Sequence, residues 1–196
     1  MRRKKLSPNC LPFIVCFLIA LFVSIANGAQ KSKKPEAISA GETLPEFRLC
    51  RPDSAGVQKY LGLKTPNSFS LSQIPAKIIL LEVFLLYCPV CQRQVPITNK
   101  LYTLFEQDPV LRNDVKVVGI AVQADPSKIG PYKEYLAPIF PIFPDPNLDI
   151  HKKLGEPKVP FFVVTTNSGK VLSTHLGLIE NIDELLCQIR KFHKQL

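Results

Sequence analysis

The stretch from Ile78 to Pro96, IILLEVFLLYCPVCQRQVP, leaves the chain little choice of fold. From Ile78 to Leu86 every residue except Glu82 is apolar, the pattern of a strand buried on both faces of a sheet. Tyr87 and then Cys88-Pro89-Val90-Cys91 follow at once. Pro89 suits the first turn of a helix, and Leu101, Leu104 and Phe105 recur beyond it at helical spacing, so Cys88 falls at a helix N-terminus. Unpaired N–H groups and the helix dipole stabilise an anion there, which suits a cysteine to be the exposed nucleophile. Cys91, one turn further in, can reach the Cys88 sulfur while being shielded by it, as a thiol that resolves a mixed disulfide must. The pair reads as a two-electron redox switch. A plain structural disulfide or half of a zinc site is the rival reading, but zinc takes four ligands and the sequence holds no second C-x-x-C or C-x-x-H cluster. Attachment of a c-type haem would need histidine where Gln92 stands.

With 196 residues, 46% of them hydrophobic, the chain has material for one full core and a short extra segment. Its formal charge of +9 resembles a nucleic-acid signal, yet Arg2, Arg3, Lys4 and Lys5 supply four of those charges, and no basic tract is interleaved with aromatic residues. Nucleic acid is therefore not an expected partner. The basic start, the uncharged apolar run over residues 11–26 and the small-x-small triplet Ala26-Asn27-Gly28 make residues 1–29 a signal peptide or an N-terminal anchor. Either way the dithiol faces outward, extracytoplasmic and periplasmic, secreted or tethered to the membrane. Cys10 and Cys16 belong to that targeting segment. Residues 30–40, lysine-rich with Pro35, read as a solvated linker before a domain spanning 41–196.

Within that domain, Gly41 to Leu49 (GETLPEFRL) alternates as a short edge strand, and Arg51 to Ser72, rich in turn formers, reads as a hairpin-like lead-in. Beyond the dithiol helix, which Pro96 should kink and which should end near Gln107 to Pro109, Val115 to Val122 is a second apolar strand completing a βαβ unit. Asp125 can cap a helix from Pro126 to Leu136. Four prolines then confine Ile139 to Phe143 to a brief edge strand, and Asn147 to Gly155 reads as a helical turn or two. Lys158-Val159-Pro160 leads into a strand from Phe161 to Thr165, followed by a turn, a strand from Val171 to Thr174 and an amphipathic helix from about Ile182 to Phe192.

This order of elements, with the GETLPEFRL lead-in, Phe69-Ser70-Leu71, the strand entering Cys88-Pro89-Val90-Cys91, Pro96, Phe140-Pro141, Pro144-Asp145-Pro146, Val159-Pro160 and Asn167-Ser168-Gly169-Lys170-Val171, resembles the exported thioredoxin-like thiol–disulfide oxidoreductases of the redoxin superfamily, relatives of the cytochrome c-maturation reductases. The similarity covers roughly residues 40–192. It implies an α/β thioredoxin fold, a central mixed sheet flanked by helices, with an N-terminal hairpin-like extension. It also implies that Val159-Pro160 is a cis peptide beside the dithiol, the residue before the proline offering its backbone to an incoming polypeptide. Taken alone, an X-Pro bond would be read as trans.

Two departures from the family bear on mechanism. Tyr87 stands where relatives often carry tryptophan, so Tyr87 joins Val159 and Pro160 as an expected substrate contact. Gln94 stands where the reductase subgroup commonly has glutamate. Glu82, six residues before Cys88, occupies the place of the buried acid of thioredoxins, and burial should raise its pKa toward neutrality so that it can take the Cys91 proton. The alternative is that Glu82 faces a solvated sheet edge.

The expected activity is exchange of disulfides with protein substrates: Cys88 attacks, Cys91 resolves and Glu82 assists, with no cofactor beyond the Cys88–Cys91 couple. Pro89-Val90 offers no histidine to stabilise the Cys88 thiolate, which favours a reductase fed by a membrane electron donor. A peroxiredoxin-like peroxidase is an alternative, though Val83 to Tyr87 lack the proline and the Ser or Thr of that pattern. A copper-delivery protein of the cytochrome oxidase-assembly type is another; the cysteine spacing is one residue short for it, although His175 is available. Cys50 and Cys187 could pair, with Cys187 equally readable as a buried free thiol, and His151 and His175 read as surface or loop residues.

Overall fold

In the computed structural model of the chain, residues 36–64 and 67–196 are described. The signal or anchor segment with Cys10 and Cys16, and the linker as far as residue 35, lie outside the described residues. Among the described residues no helix is long and apolar enough to cross a membrane.

Five strands, β1 (Ile78–Phe84), β2 (Val115–Val122), β3 (Ile142–Asp145), β4 (Phe161–Thr166) and β5 (Val171–Leu176), form one sheet in the order β3-β2-β1-β4-β5. The helices are α1 (Ala55–Tyr60), α2 (Pro89–Gln107), α3 (Leu111–Asp114), α4 (Pro126–Leu136), α5 (Asp149–Lys153) and α6 (Ile182–Gln195). β1 is central, parallel to β2 and antiparallel to β4. β3 adds parallel to β2, and β5 antiparallel to β4. This is the mixed sheet of the thioredoxin fold.

The nearly unbroken apolar run of β1 follows from that central place, because both of its faces are covered and all seven residues are buried. Strand parity splits them. Ile78, Leu80 and Phe84 pack with Cys91, Val95 and Leu101 of α2, Tyr132 of α4 and Ile189 of α6. Ile79, Leu81 and Val83 pack on the other side with Leu49, Leu61, Phe69 and Ile74 of the lead-in. Glu82 has the parity of Leu80 and Phe84, so it points beneath α2. That disposes of the solvated-edge reading of this residue.

The lead-in differs from expectation in one respect. It is hairpin-like, since Leu49 and Phe69 pair antiparallel through N–H···O bonds of 2.8 and 2.9 Å, but the segment between them carries α1. Six residues are too few for helical periodicity to show among turn formers. Tertiary contacts hold the helix instead: the Val117 N–H donates to Tyr60 Oη at 2.8 Å, and the Lys116 ammonium lies 4.4 Å from the Tyr60 ring centroid. The expected edge strand over Gly41 to Leu49 reduces to a backbone arm against the start of β5 and the turn before it, with the Gly41 N–H on Val171 O, the Val171 N–H on Glu42 O and the Leu44 N–H on Gly169 O. β3 begins at Ile142 rather than Ile139, because Pro141 has no N–H to give the ladder and contributes only its carbonyl, to the Gly119 N–H. Pro144 is tolerated at this edge. α2 runs unbroken through Pro96.

Gly119 of β2 lies opposite Glu82 in the register. A methyl group there would come within 3.0 Å of Phe140, 3.1 Å of Phe84 and 3.2 Å of Ile142, all buried. Gly119→Ala is expected to cost about 1–3 kcal/mol through overpacking, measurable as a lowered urea midpoint.

Candidate functional site

The dithiol stands where the sequence puts it. Cys88 is the N-cap of α2, in extended backbone, with Pro89 in the first turn. The turn from β1 is fixed by the Cys88 N–H on Leu85 O at 3.2 Å and by Gln92 Nε2 on Leu86 O at 2.9 Å. The Cys91 N–H donates to Cys88 Sγ at 3.3 Å, an amide positioned to stabilise negative charge on that sulfur. Cys88 is partly exposed and Cys91 fully buried, and both are free thiols. Burial, then the hydrogen bond with Cys88, pushes the Cys91 thiol up to about 12. Cys91 therefore needs a base before it can attack.

Glu82 lies in the core beneath the same helix. Only 1% exposed, it has a pKa raised to about 8 by burial, with hydrogen bonding to Thr98 pulling in the opposite direction. Its charge is felt at Cys91 and at Tyr132 of α4. Burial also raises the Tyr132 hydroxyl, whose ring lies 5.7 Å from that of Phe84. Glu82 Oε2 and Tyr132 Oη are buried and have no hydrogen-bond partner among the described residues.

Gln94 is fully buried on the face of α2 that meets the sheet. Its Oε1 accepts from the Ile179 N–H at 2.8 Å, and its Nε2 donates to Thr98 Oγ1 at 3.3 Å. Thr98 and Tyr132 escaped the sequence reading. Thr98, seven residues after Cys91, shares its helix face, and that spacing was the available signal.

The Val159–Pro160 bond is cis, as the resemblance implied. Phe161, the next residue, pairs with Val83 of β1, so the proline turn and the dithiol occupy the same end of adjacent strands. Tyr87 is 78% exposed. On the β2 side of Cys88 lies a recess of about 290 Å³ lined by Leu86, Tyr87, Val122, Gln123 and Lys128 among others.

The remaining candidates lie apart from this site. Cys50 and Cys187 are both exposed free thiols. For Cys187 this corrects the buried reading, because α6 turns Ile182, Leu185, Leu186 and Ile189 inward instead. His151 contacts the Pro157 carbonyl at 2.9 Å and His175 that of Leu178 at 3.0 Å. His193, near the C-terminal end of α6, pairs with Asp114 at 2.7 Å. Among the described residues no group of three or more His, Cys, Asp or Glu side chains is gathered as a metal would require.

The chain is 22% identical over 143 residues to the thiol–disulfide oxidoreductase ResA of Halalkalibacterium halodurans, covering 70% of this chain and 78% of that protein. Its fold is similar to the thioredoxin domain of a thiol–disulfide oxidoreductase from Bacteroides vulgatus, with a TM-score of 0.59 at 16% identity, covering 80% of this chain and 99% of that one. A secreted Mycobacterium tuberculosis disulfide oxidoreductase homologous to E. coli DsbE aligns with a TM-score of 0.54 at 18% identity, covering 74% of this chain and 95% of its own. Residues 39–185 match the Redoxin family, a span that includes all five strands, the dithiol and the cis-proline turn; the chain belongs to the Redoxin family.

Proposed function

We propose that the protein is a thiol–disulfide oxidoreductase that reduces disulfides in polypeptides through Cys88 and Cys91. The observation that carries this reading is the pairing of a partly exposed N-cap cysteine, its sulfur bonded by the Cys91 N–H, with a buried thiol one turn behind it. Cys88 as thiolate attacks a substrate disulfide, forming a mixed disulfide and releasing the first substrate sulfur as a thiolate. Glu82 takes the proton from Cys91, whose sulfur then attacks Cys88. The Cys88–Cys91 bond forms, the bond to substrate breaks, and the second substrate sulfur departs with the electron pair. The substrate gains two electrons and two protons, and the dithiol is oxidised to a disulfide.

Val159 and Pro160 lie at the right end of the sheet to receive an extended backbone, and Tyr87 with the adjoining recess offers apolar contact to side chains next to the target sulfur. The basic, then apolar, then small-residue pattern of residues 1–29 supports an extracytoplasmic setting, cleaved or tethered, ahead of a linker and a domain at 41–196. Re-reduction there calls for an electron donor at the membrane.

Mixing the fully reduced protein with insulin under anaerobic conditions should generate two insulin thiols for each protein dithiol consumed. Cys88→Ser should generate none. An unchanged insulin thiol count with the wild-type protein would overturn the proposal.

A further inference from the structure

The buried polar groups under α2 form a chain with a fixed direction. The Ile179 N–H can only donate, so the group of Gln94 facing it at 2.8 Å must be the carbonyl, which turns the amide NH₂ toward Thr98. A Thr98 hydroxyl that accepts from this amide at 3.3 Å keeps one hydrogen to give away. Glu82, Gln94 and Thr98 are all buried, Glu82 faces α2 by strand parity, and Gln94 and Thr98 lie one turn apart on the inner face of that helix. We propose that Gln94 and Thr98 are positioning residues for Glu82: anchored on the Ile179 N–H, the Gln94 amide aims the Thr98 proton at the Glu82 carboxyl and so keeps that carboxyl able to ionise inside the core. Hydrogen bonding to Thr98 is the one influence that favours the Glu82 anion against burial. The unpartnered Oε2 is the oxygen left to receive a proton from Cys91.

The inference rests on the proposed role of Glu82 in disulfide exchange. The titratable groups that Glu82 interacts with are Cys91 from α2 and Tyr132 from α4. Its register neighbours on β2 and β4, Gly119 and Phe162, do not ionise, and α6 turns Leu185 and Ile189 toward this core.

The test is the titration of the Glu82 carboxyl by ¹³C NMR in the reduced protein, run beside the pH profile of mixed-disulfide resolution. Thr98→Val should move both midpoints upward by about one pH unit, the scale of one lost hydrogen bond to a charged group, and Thr98→Ser should hold them at the wild-type position. Gln94→Glu should also move them upward, because an ionised carboxylate cannot donate to Thr98 and would draw its proton away from Glu82. This variant decides the matter if Thr98→Val fails to fold. Thr103→Val, which deletes a hydroxyl bonded to Asn99 O elsewhere on the same helix, should leave the midpoints in place. A carboxyl midpoint unmoved by both Thr98→Val and Gln94→Glu overturns the chain. A carboxyl midpoint that moves while the exchange profile does not overturns Glu82 as proton acceptor and leaves the hydrogen-bonded chain standing.

Discussion

Replacing Cys91 by serine is expected to end turnover and leave substrate polypeptide covalently held on Cys88. The first step needs only the Cys88 sulfur, which is partly exposed and bonded by the residue 91 N–H, a backbone group that the substitution retains. The second step needs a sulfur at 91, and a serine hydroxyl cannot displace a thiolate from a disulfide under these conditions. The mixed disulfide should therefore appear as a band shift on non-reducing gels, sensitive to dithiothreitol and absent in Cys88→Ser. The double variant Cys88→Ser/Cys91→Ser controls for capture by Cys50 or Cys187, both exposed. Adducts that persist in the double variant would show that one of those outer thiols, and not Cys88, is the reactive group.

Glu82→Gln should make the protein more stable at high pH and slower in exchange. Glu82 has a pKa of about 8 in the folded protein and an ordinary value of 4.5. Below pH 4.5 it is protonated in both folded and unfolded chains, and its contribution to stability is fully present. Between 4.5 and 8 only the unfolded chain releases the proton, so folding stability falls by about 1.4 kcal/mol per pH unit and is lost by the time pH passes the folded value. The integrated penalty is on the order of 5 kcal/mol. Glutamine carries no such penalty, so urea denaturation of the variant should lose this slope and show its largest gain over wild type near pH 9. Removing the base should slow resolution at pH 7 by roughly a hundredfold, within the usual range for general-base loss. Equal pH slopes in the two proteins would mean that Glu82 is not the buried acid that titrates here.

Local rules set what the sequence alone discloses. Strand β2 and helix α4 fall on the predicted bounds because an apolar run closed by an Asp125 cap and a Pro126 start is self-contained information. Cys88 at the N-cap followed from Pro89 and the switch from strand to helix spacing. The role of Gln94 was not readable: its partner Ile179 lies 85 residues away, and only packing of the loop before α6 onto α2 brings them together. Tyr132 likewise reaches the Phe84 face through the placement of α4, which the sequence gives no means to orient. Helix α1 is held by Tyr60 against β2, a long-range contact in a segment whose composition suggested only turns.

The arm at residues 41–44 occupies the start of the outer rim of β5 by bonding to Val171 and to Gly169 of the turn before it. An open rim of this kind is a template on which a second molecule can add its own strand, the usual start of ordered aggregation. The arm thus acts as a built-in guard for solubility. A shortened version of the domain for crystallisation or expression should retain Gly41, since a cut a few residues later would uncover the backbone groups of Val171 at the start of the last strand.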